Sequence, residues 1–295
     1  MNISGHTRLI CLLGSPVAHS LSPAMHNEGF RQLDLDYSYM AFDIKEGELG
    51  GILNSFKKMG VRGFNLTMPL KTEAVSLCDR LSTAAEIAGS VNTVVIEEDG
   101  TVTGHTTDGI GFTESARQAG VDFTGKKVAI LGTGGAGIAV LVQLALDGAK
   151  EISVFERTGS RFSERTKAVV ETLNNRTSCS VKVYDYTDEV LRKEISASVL
   201  LINATNVGMA PNVDGNLIKD KSWLTTRAEG TTDPLAVADV IYNPRKTKLL
   251  EMAEECGLKA FNGMYMLLYQ GAAAFELWTG QKMPVEMVKE KYFNI

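Results

Sequence analysis

This 295-residue chain has few cysteines and histidines and no excess of positive charge, and each of these features argues against a class of function. Four cysteines stand far apart without a C-x-x-C pair, which argues against a disulfide framework or a zinc site. Four histidines show no metal-ligand spacing, and a net charge of −5 offers no basic surface to a nucleic-acid backbone. We therefore expect a cytoplasmic protein with reduced thiols that binds neither a metal nor nucleic acid.

Long hydrophobic runs are absent as well. No stretch approaches the ~18 apolar residues of a membrane span, and the first residues lack the apolar core of a signal peptide. Hydrophobic residues still make up 44% of the chain, which is ordinary for a folded protein. The length suffices for two domains. We expect no membrane partner, and both a monomer and a homodimer stay open.

Predicted strands and helices alternate along the whole chain, which is typical of α/β proteins. We expect a first α/β domain over 1–108, completed by closing helices at 265–295, and a second domain over 109–264. Crossover helices between the strands of the second domain predict a doubly wound parallel sheet, with a cleft between the two domains. Within the first domain the pattern predicts a helix over 72–81 and a strand over 90–97.

A glycine-rich turn separates the apolar run 128–131 from the helix-like stretch 138–144. It reads Gly132, Thr133, Gly134, Gly135, Ala136, Gly137. Glycines at these spacings permit a tight turn, close approach of a pyrophosphate and close packing of helix on strand, while the helix N-terminus attracts phosphate charge. This G-x-G-x-x-G pattern predicts a Rossmann-like nucleotide domain. The alternative is a glycine-rich turn that binds nothing.

The end of the next predicted strand bears on the choice of dinucleotide. Glu156 lies there, and an acidic residue at this place binds the ribose 2′-hydroxyl and repels a 2′-phosphate, which favours NAD. Arg157 and Arg161 follow, and two arginines could instead hold the 2′-phosphate of NADP. A solvated helix start explains the arginines equally well. NAD or NADP is expected, with a slight preference for NAD.

Polar residues also follow the predicted strands of the first domain. Asn65 and Thr67 share one side of a strand, and Lys71 comes just beyond a proline at a helix mouth. Thr107 and Asp108 follow another strand. A lysine and an aspartate from separate strand ends can form an acid–base pair, although spacing alone does not show that they meet. A solvated lysine and a helix-capping aspartate are the alternatives.

Two further features have both a structural and a functional interpretation. Ser20 and Ser22 lie in a loop that could bind a ligand, but Ser22 directly before Pro23 is also a good helix N-cap. Gln270 interrupts an otherwise apolar helix and needs a polar partner, either a backbone carbonyl or a ligand.

Eight segments taken in order resemble the shikimate/quinate dehydrogenase family over nearly the whole chain. They are 14–23 with His26-Asn27, Asn65–Lys71, Ser90–Thr93, Gly104–Asp108, Gly132–Gly137, Asn203–Met209, Asp239–Pro244 and Gly263–Gln270. The resemblance implies an NAD(P)-dependent enzyme that reversibly oxidises shikimate, quinate or both to the 3-dehydro ketone by hydride transfer. Such an enzyme would act in the shikimate pathway to aromatic amino acids or in quinate catabolism.

The resemblance also assigns roles to single residues. Lys71 and Asp108 match the family's catalytic pair, while Ser20 and Ser22 match the serines that bind the substrate carboxylate, with Tyr242 nearby. The residues expected around the ring hydroxyls are Asn65, Thr67, Asn92, Thr107 and Gln270. The residues expected to bind the cofactor are the six of the glycine turn with Glu156, Arg157, Arg161, Thr205, Val240 and Gly263.

Three positions depart from the family's usual residues. Leu66 replaces a valine, Thr106 replaces an asparagine near the site, and Glu156 replaces an asparagine in the 2′-phosphate loop. The first two leave the activity expected, whereas the third weakens the expectation of NADP. The segments 203–211 and 277–280 look most similar to the branch that accepts quinate.

Two alternative functions stay open. One is a dehydrogenase of a related ring acid, such as an amino-shikimate. The other is a non-catalytic sensor of the ring acid, which predicts loss of Lys71 or Asp108 or an added DNA-binding segment. The sequence shows neither feature.

Overall fold

The computed structural model describes residues 3–293, which form two compact units, each built on a six-stranded sheet. One unit runs to Gly111 and resumes at Leu268, and the other is Phe112–Leu267. Among the described residues, no helix is both long and apolar enough to span a membrane.

The first unit carries six strands with helices between them. In chain order its elements are β1 (Arg8–Gly14), α1 (Ser22–Gln32), β2 (Tyr37–Asp43), α2 (Leu49–Met59), β3 (Gly63–Leu66), a 3₁₀ helix (Glu73–Leu77), β4 (Arg80–Leu81), α3 (Thr83–Ala88), β5 (Thr93–Ile96), β6 (Val102–His105) and the start of α4 (Asp108–Gln118). The sheet order is β2-β1-β3-β5-β6-β4. Strand β5 runs antiparallel to both β3 and β6, so this sheet is mixed.

Two predicted elements of this unit are wrong in extent. The helix expected over 72–81 is only a short 3₁₀ helix, because the chain turns extended at Cys78 and the Asp79 N–H then bonds the Val102 carbonyl. The strand expected over 90–97 begins only at Thr93. Hydrogen bonding of this segment to the sheet therefore overrides its helical sequence pattern. A local pattern carries no information on partners that are distant in the chain.

The second unit is the doubly wound parallel sheet that the sequence predicts. Its elements are β7 (Lys127–Leu131), α5 (Gly135–Leu146), β8 (Glu151–Glu156), α6 (Ser163–Arg176), β9 (Ser180–Asp185), α7 (Asp188–Ser196), β10 (Leu200–Asn203), α8 (Ser222–Thr225), β11 (Ala236–Asp239), α9 (Lys248–Glu255) and β12 (Lys259–Phe261). The order β12-β11-β10-β7-β8-β9 is parallel throughout. The order reverses between β7 and β10, which is where open α/β sheets bind ligands.

The chain closes with α10 (Met264–Thr279) and α11 (Val285–Tyr292). Within the first unit, Trp278 anchors α10 to the sheet, because its indole N–H donates to the Val94 carbonyl at 2.9 Å. Gly63 makes room for this contact, since a Cβ there would lie 2.5 Å from the indole nitrogen. Further along α10, Gly271 allows close packing on Met25 of α1. These contacts fix the helix that carries Gln270.

His26 lies fully buried in an aromatic cluster of the first unit. Its ring stacks on Tyr39 with centroids 4.4 Å apart and lies 5.3 Å from the ring of Trp278. Neither ring nitrogen has a hydrogen-bond partner in the part of the chain that the structure describes. Burial lowers the pKa of His26 to about 3, so the folded protein holds the ring neutral.

This buried ring should make stability depend on pH. The unfolded chain binds a proton on His26 near pH 6.5, but the folded chain does so only near pH 3. The free energy of unfolding should therefore fall as the pH drops below 6.5, by about 1.4 kcal/mol per pH unit from this group. In urea unfolding between pH 7 and 5, His26→Leu should lose that part of the slope, while the exposed-histidine control His6→Gln should keep it. An unchanged slope in His26→Leu would contradict the assignment.

Candidate active site

Lys71 and Asp108 form the ion pair that spacing alone left open. Lys71 lies on the loop after β3, and Asp108 is the first residue of α4. The Lys71 ammonium nitrogen lies 2.6 Å from Asp108 Oδ2, with the two side chains 25% and 15% exposed. The N-terminus of α4 also favours a carboxylate at this position. The pair is thus sheltered but still reachable by a small molecule.

Asn92 links this pair to three other polar groups. Its Oδ1 accepts from the Thr107 backbone N–H at 2.7 Å, and this bond identifies the oxygen end and the nitrogen end of the amide. Its Nδ2 then faces Asp108 Oδ1 at 2.9 Å, the Thr107 hydroxyl at 3.0 Å and Gln270 Oε1 at 3.3 Å. The polar partner that Gln270 needs is therefore a side chain of the site.

Asn65 has its whole donor capacity taken up by the protein. Its Nδ2 donates to the Asn92 carbonyl at 3.1 Å and to the Thr93 hydroxyl at 2.9 Å. Its Oδ1 accepts from the Tyr39 hydroxyl at 2.7 Å. An amide has two protons and one oxygen with two lone pairs, so Asn65 can offer a ligand only an acceptor.

Tyr39 was missed by the sequence analysis. Burial raises the pKa of Tyr39, although a hydrogen bond with Ser22 acts the other way, so the phenol stays protonated and donates to Asn65. Nothing in the sequence distinguishes Tyr39 from Tyr37, which lies two residues earlier on the same strand. Only the pairing of strands and helices brings it to the site.

The interpretation of Ser22 as a helix cap is wrong. Leu21 occupies the N-cap of α1 without a side-chain cap, and Ser22 is the first helical residue. The Ser22 backbone N–H instead bonds the Ser20 hydroxyl at 3.2 Å, so the two serines lie next to each other. Thr67 follows β3 and its methyl group packs against Gly14, where a Cβ would lie 2.3 Å away.

The glycine turn of the second unit has the geometry of a pyrophosphate cradle. Gly132 has a φ of 98°, and a Cβ at Gly137 would lie 2.4 Å from the Gly132 carbonyl oxygen. A Cβ at Gly134 or Gly135 would meet nothing within 4 Å. No side chain caps α5 at Gly134. The turn is therefore tight on its protein side and open where a phosphate would approach.

Glu156, at the end of β8, is buried and turned into the protein. Its Oε1 accepts from the hydroxyls of Thr133, in the glycine turn, and Thr166, on α6. Arg157 and Arg161 are exposed, and the Arg161 guanidinium lies 4.7 Å from the ring centroid of Phe162. The two arginines are thus exposed, as is the acidic Asp185 at the end of the neighbouring strand β9, whereas the negative charge of Glu156 is partly satisfied from inside.

A second polar network shapes the loops after β10 and β11. Asp239 accepts from Asn203 Nδ2 at 3.1 Å, from the Thr247 hydroxyl at 2.8 Å and from the Ile241 N–H at 2.9 Å. Burial raises the pKa of Asp239 to about 6 despite these donors. The Thr205 hydroxyl donates to Asn203 Oδ1 at 2.7 Å. The network therefore holds the loop that carries Thr205.

Close backbone contact explains the glycine expected in the cofactor site at position 263. A Cβ at Gly263 would lie 2.1 Å from the Val240 carbonyl oxygen, so only glycine fits there. Tyr242 lies in this same unit and is 43% exposed. Its expected contact with the substrate carboxylate stays a prediction. Among the described residues, no cluster of His, Cys, Asp or Glu could hold a metal ion.

A Rossmann-type unit and a unit that presents a sheltered Lys–Asp pair among amides and hydroxyls are together typical of a nicotinamide-dependent dehydrogenase. A family profile described as the shikimate dehydrogenase substrate binding domain matches residues 12–94. Another, described as the shikimate 5'-dehydrogenase C-terminal domain, matches residues 263–291.

Individual relatives extend the match to the whole chain. Shikimate dehydrogenase (NADP+) of Listeria monocytogenes is 48% identical over 99% of this chain and 97% of its own length. The structure of shikimate 5-dehydrogenase from the same species, in complex with shikimate and NAD, has a TM-score of 0.92 at 46% identity and covers 99% and 98% of the two chains. The chain belongs to the shikimate dehydrogenase family.

A more distant relative has a different substrate in its name. Quinate dehydrogenase from Corynebacterium glutamicum, in complex with NAD, has a TM-score of 0.83 at 29% identity and covers 98% of this chain and 99% of its own. The named relatives therefore include both ring acids and both dinucleotides, and the slight preference for NAD is not confirmed.

Two glycine variants should separate folding from dinucleotide binding. Gly137→Ala places its methyl group against the Gly132 carbonyl and should lower stability by about 1–3 kcal/mol. Position 134 has an ordinary φ of −64° and open space, so Gly134→Ala should fold normally but intrude where we expect the pyrophosphate to bind. Thermal unfolding without ligand and calorimetric titration with NAD and NADP measure the two effects. Normal dinucleotide binding by Gly134→Ala would show that the turn is not the cradle.

Proposed function

We propose that this protein is a shikimate dehydrogenase, which reversibly oxidises shikimate to the 3-dehydro ketone with a nicotinamide dinucleotide as acceptor. The observation that carries the proposal is the Lys71–Asp108 ion pair, which lies among Asn65, Asn92 and Gln270 in a chain of this family. The first unit would bind the ring acid and the second the dinucleotide. The enzyme would act in the cytoplasm, in the pathway to aromatic amino acids.

The polar groups of the first unit suit a hydroxylated ring carboxylate. The neighbouring hydroxyls of Ser20 and Ser22 are donors for the carboxylate. The residues proposed to meet the ring hydroxyls are Asn65, Thr67, Asn92, Thr107 and Gln270. Asn65 can only accept, because the protein uses both of its amide protons, so a ring hydroxyl must donate to it.

Oxidation of an alcohol requires its hydroxyl proton to leave as the C–H bond breaks. A bound nicotinamide supplies the hydride acceptor. We assign the proton to a relay through Lys71 and Asp108, which are 2.6 Å apart: Lys71 gives one of its own protons to Asp108, which can pass it towards solvent, as it takes up the proton of the hydroxyl. In the reverse direction Lys71 would donate to the carbonyl oxygen and stabilise the negative charge that develops there. Asn92 holds Asp108 in place through its 2.9 Å hydrogen bond.

We propose that both NAD and NADP are accepted. The open turn at Gly134 and Gly135 suits the pyrophosphate that the two dinucleotides share. Arg157 and Arg161 are exposed and would pair with a 2′-phosphate. Glu156 opposes them with a negative charge, but its Oε1 already accepts from two threonines. Neither charge excludes one dinucleotide.

Steady-state kinetics with shikimate and quinate, each against NAD+ and NADP+, tests the proposed function. We expect turnover of shikimate with both dinucleotides and a lower kcat/KM for quinate. If shikimate is turned over with neither NAD+ nor NADP+, the proposal is overturned. Turnover of an amino-shikimate alone would favour the related ring-acid enzyme, and binding without turnover would favour a sensor.

The matched variant in this assay is Lys71→Ala. If Lys71 acts on the reacting oxygen, kcat should fall about 100-fold or more while KM for shikimate changes much less. Lys58→Ala, which removes an exposed lysine at the end of α2, should retain the wild-type kcat. A wild-type kcat in Lys71→Ala would remove this residue from the mechanism.

Variants near the ribose test the assignment of the dinucleotide groups. Arg157→Gln with Arg161→Gln should lower kcat/KM for NADP+ about 10-fold or more and leave NAD+ nearly unchanged, because only NADP+ carries the 2′-phosphate. Glu156→Gln keeps an acceptor for Thr133 but removes the charge, so it should shift the preference towards NADP+. Equal effects of the arginine variants on both dinucleotides would contradict the assignment.

A further inference from the structure

Thr93 is a fully buried residue in the middle of the polar network and was not expected to have a role. It opens β5, where it pairs with Asn65 on one neighbouring strand and with His105 on the other. Its hydroxyl lies 2.9 Å from Asn65 Nδ2, 3.1 Å from Asn92 Oδ1 and 3.1 Å from the Thr107 hydroxyl. It therefore touches three of the residues proposed to surround the substrate.

The direction of each hydrogen bond follows from the backbone. Asn65 directs Nδ2 towards a backbone carbonyl, that of Asn92, so this end of its amide is the donor. Asn92 directs Oδ1 towards the Thr107 backbone N–H, so that end is the acceptor. Thr93 accordingly accepts from Asn65, and its own proton can only go on to Asn92 Oδ1 or to the Thr107 hydroxyl.

The result is a chain of hydrogen bonds with one direction. Protons point from Tyr39 to Asn65, from Asn65 to Thr93, and from Thr93 towards Asn92 and Thr107. Asn92 then donates to Asp108 Oδ1. A hydroxyl can accept from one side and donate to the other at the same time, whereas an aliphatic side chain of the same shape can do neither.

We propose that Thr93 is a positioning residue for catalysis. Its hydroxyl takes up the second amide proton of Asn65, which leaves Asn65 as a pure acceptor for a substrate hydroxyl. It also supports the orientation in which Asn92 donates to Asp108. This inference rests on the proposed function, since it concerns how the same site binds and oxidises its ring acid.

Thr93→Val tests the proposal because valine keeps the shape and removes the hydroxyl. The Asn65 amide then has a buried proton without a partner, and turning the amide towards the substrate space relieves this. We expect kcat/KM for shikimate to fall about 10- to 100-fold, with a higher KM for shikimate and a lower kcat. The KM for the dinucleotide should stay unchanged. Thr93→Ser, which restores the hydroxyl, should recover activity to within about threefold of wild type.

Thr103→Val is the matched control. Thr103 lies on the adjacent strand β6, and its hydroxyl lies 3.5 Å from Glu97 and outside the chain of hydrogen bonds. This variant should keep wild-type kinetics. A purely structural role for Thr93 would reduce the number of active molecules and lower the apparent kcat while leaving the KM for shikimate unchanged. That result, or wild-type kinetics in Thr93→Val, would overturn the proposal.

A crystal structure of Thr93→Val gives a readout independent of turnover. We expect the Asn65 amide to turn away from position 93, and an unmoved Asn65 would contradict the proposal. If wild-type enzyme fails to oxidise shikimate, the proposed function fails and this inference fails with it. If wild-type enzyme is active and Thr93→Val behaves like Thr103→Val, only this inference fails.

Discussion

The need to satisfy one buried amide, that of Asn92, constrains how several elements of the first unit pack together. Its Oδ1 and Nδ2 meet groups from the start of α4 and from α10, and its backbone pairs with β6. A buried polar group without a hydrogen-bond partner costs about 1–3 kcal/mol of stability, so these elements must all pack around Asn92 in the folded protein. Asp108 Oδ1 is one of the acceptors that meet this amide, at 2.9 Å, and Asp108 Oδ2 lies 2.6 Å from the Lys71 ammonium nitrogen. The geometry of the charged pair is therefore coupled to the packing of a neutral amide.

In the second unit the candidate site is shaped by the backbone of the glycine turn instead of by a network of side chains. A tight turn between β7 and α5 needs a glycine at 132 for its φ and a glycine at 137 for close packing, while 134 and 135 stay open. Thr133 ties this turn to Glu156 at the end of β8. Glu156, which could bind the ribose, thus also supports the glycine turn through Thr133. The charge at Glu156 is for this reason a weaker guide to the dinucleotide than its place in the sequence suggests.

The sequence predicted what depends on local pattern and missed what depends on distant pairing. The glycine turn and the parallel sheet follow from spacing and alternation, and the structure contains both. Lys71 and Asp108 could be named from the sequence, but their contact depends on β5 running antiparallel to β3, which no local pattern specifies. Tyr39 and Thr93 could not be found at all, because each looks like an ordinary strand residue. The cap assigned to Ser22 was wrong because Leu21 takes that place.

The direction of the hydrogen bonds determines what the site can offer a ligand. Protein protons run towards Asp108 from the Asn65 side, so the carboxylate is surrounded by donors and Asn65 presents only an acceptor. A lysine ammonium has three donors and no acceptor, and in the described part of the chain one of them goes to Asp108. The remaining donors suit an oxygen on which negative charge develops, as happens when a ketone is reduced. In the proposed binding mode, a hydroxyl that donates to Asn65 and an oxygen that accepts from Lys71 would be different groups of one ring. Such a site would discriminate by the polarity of each hydrogen bond as well as by shape, and part of this polarity is set by Tyr39 and Thr93, which are not among the residues proposed to meet the ligand.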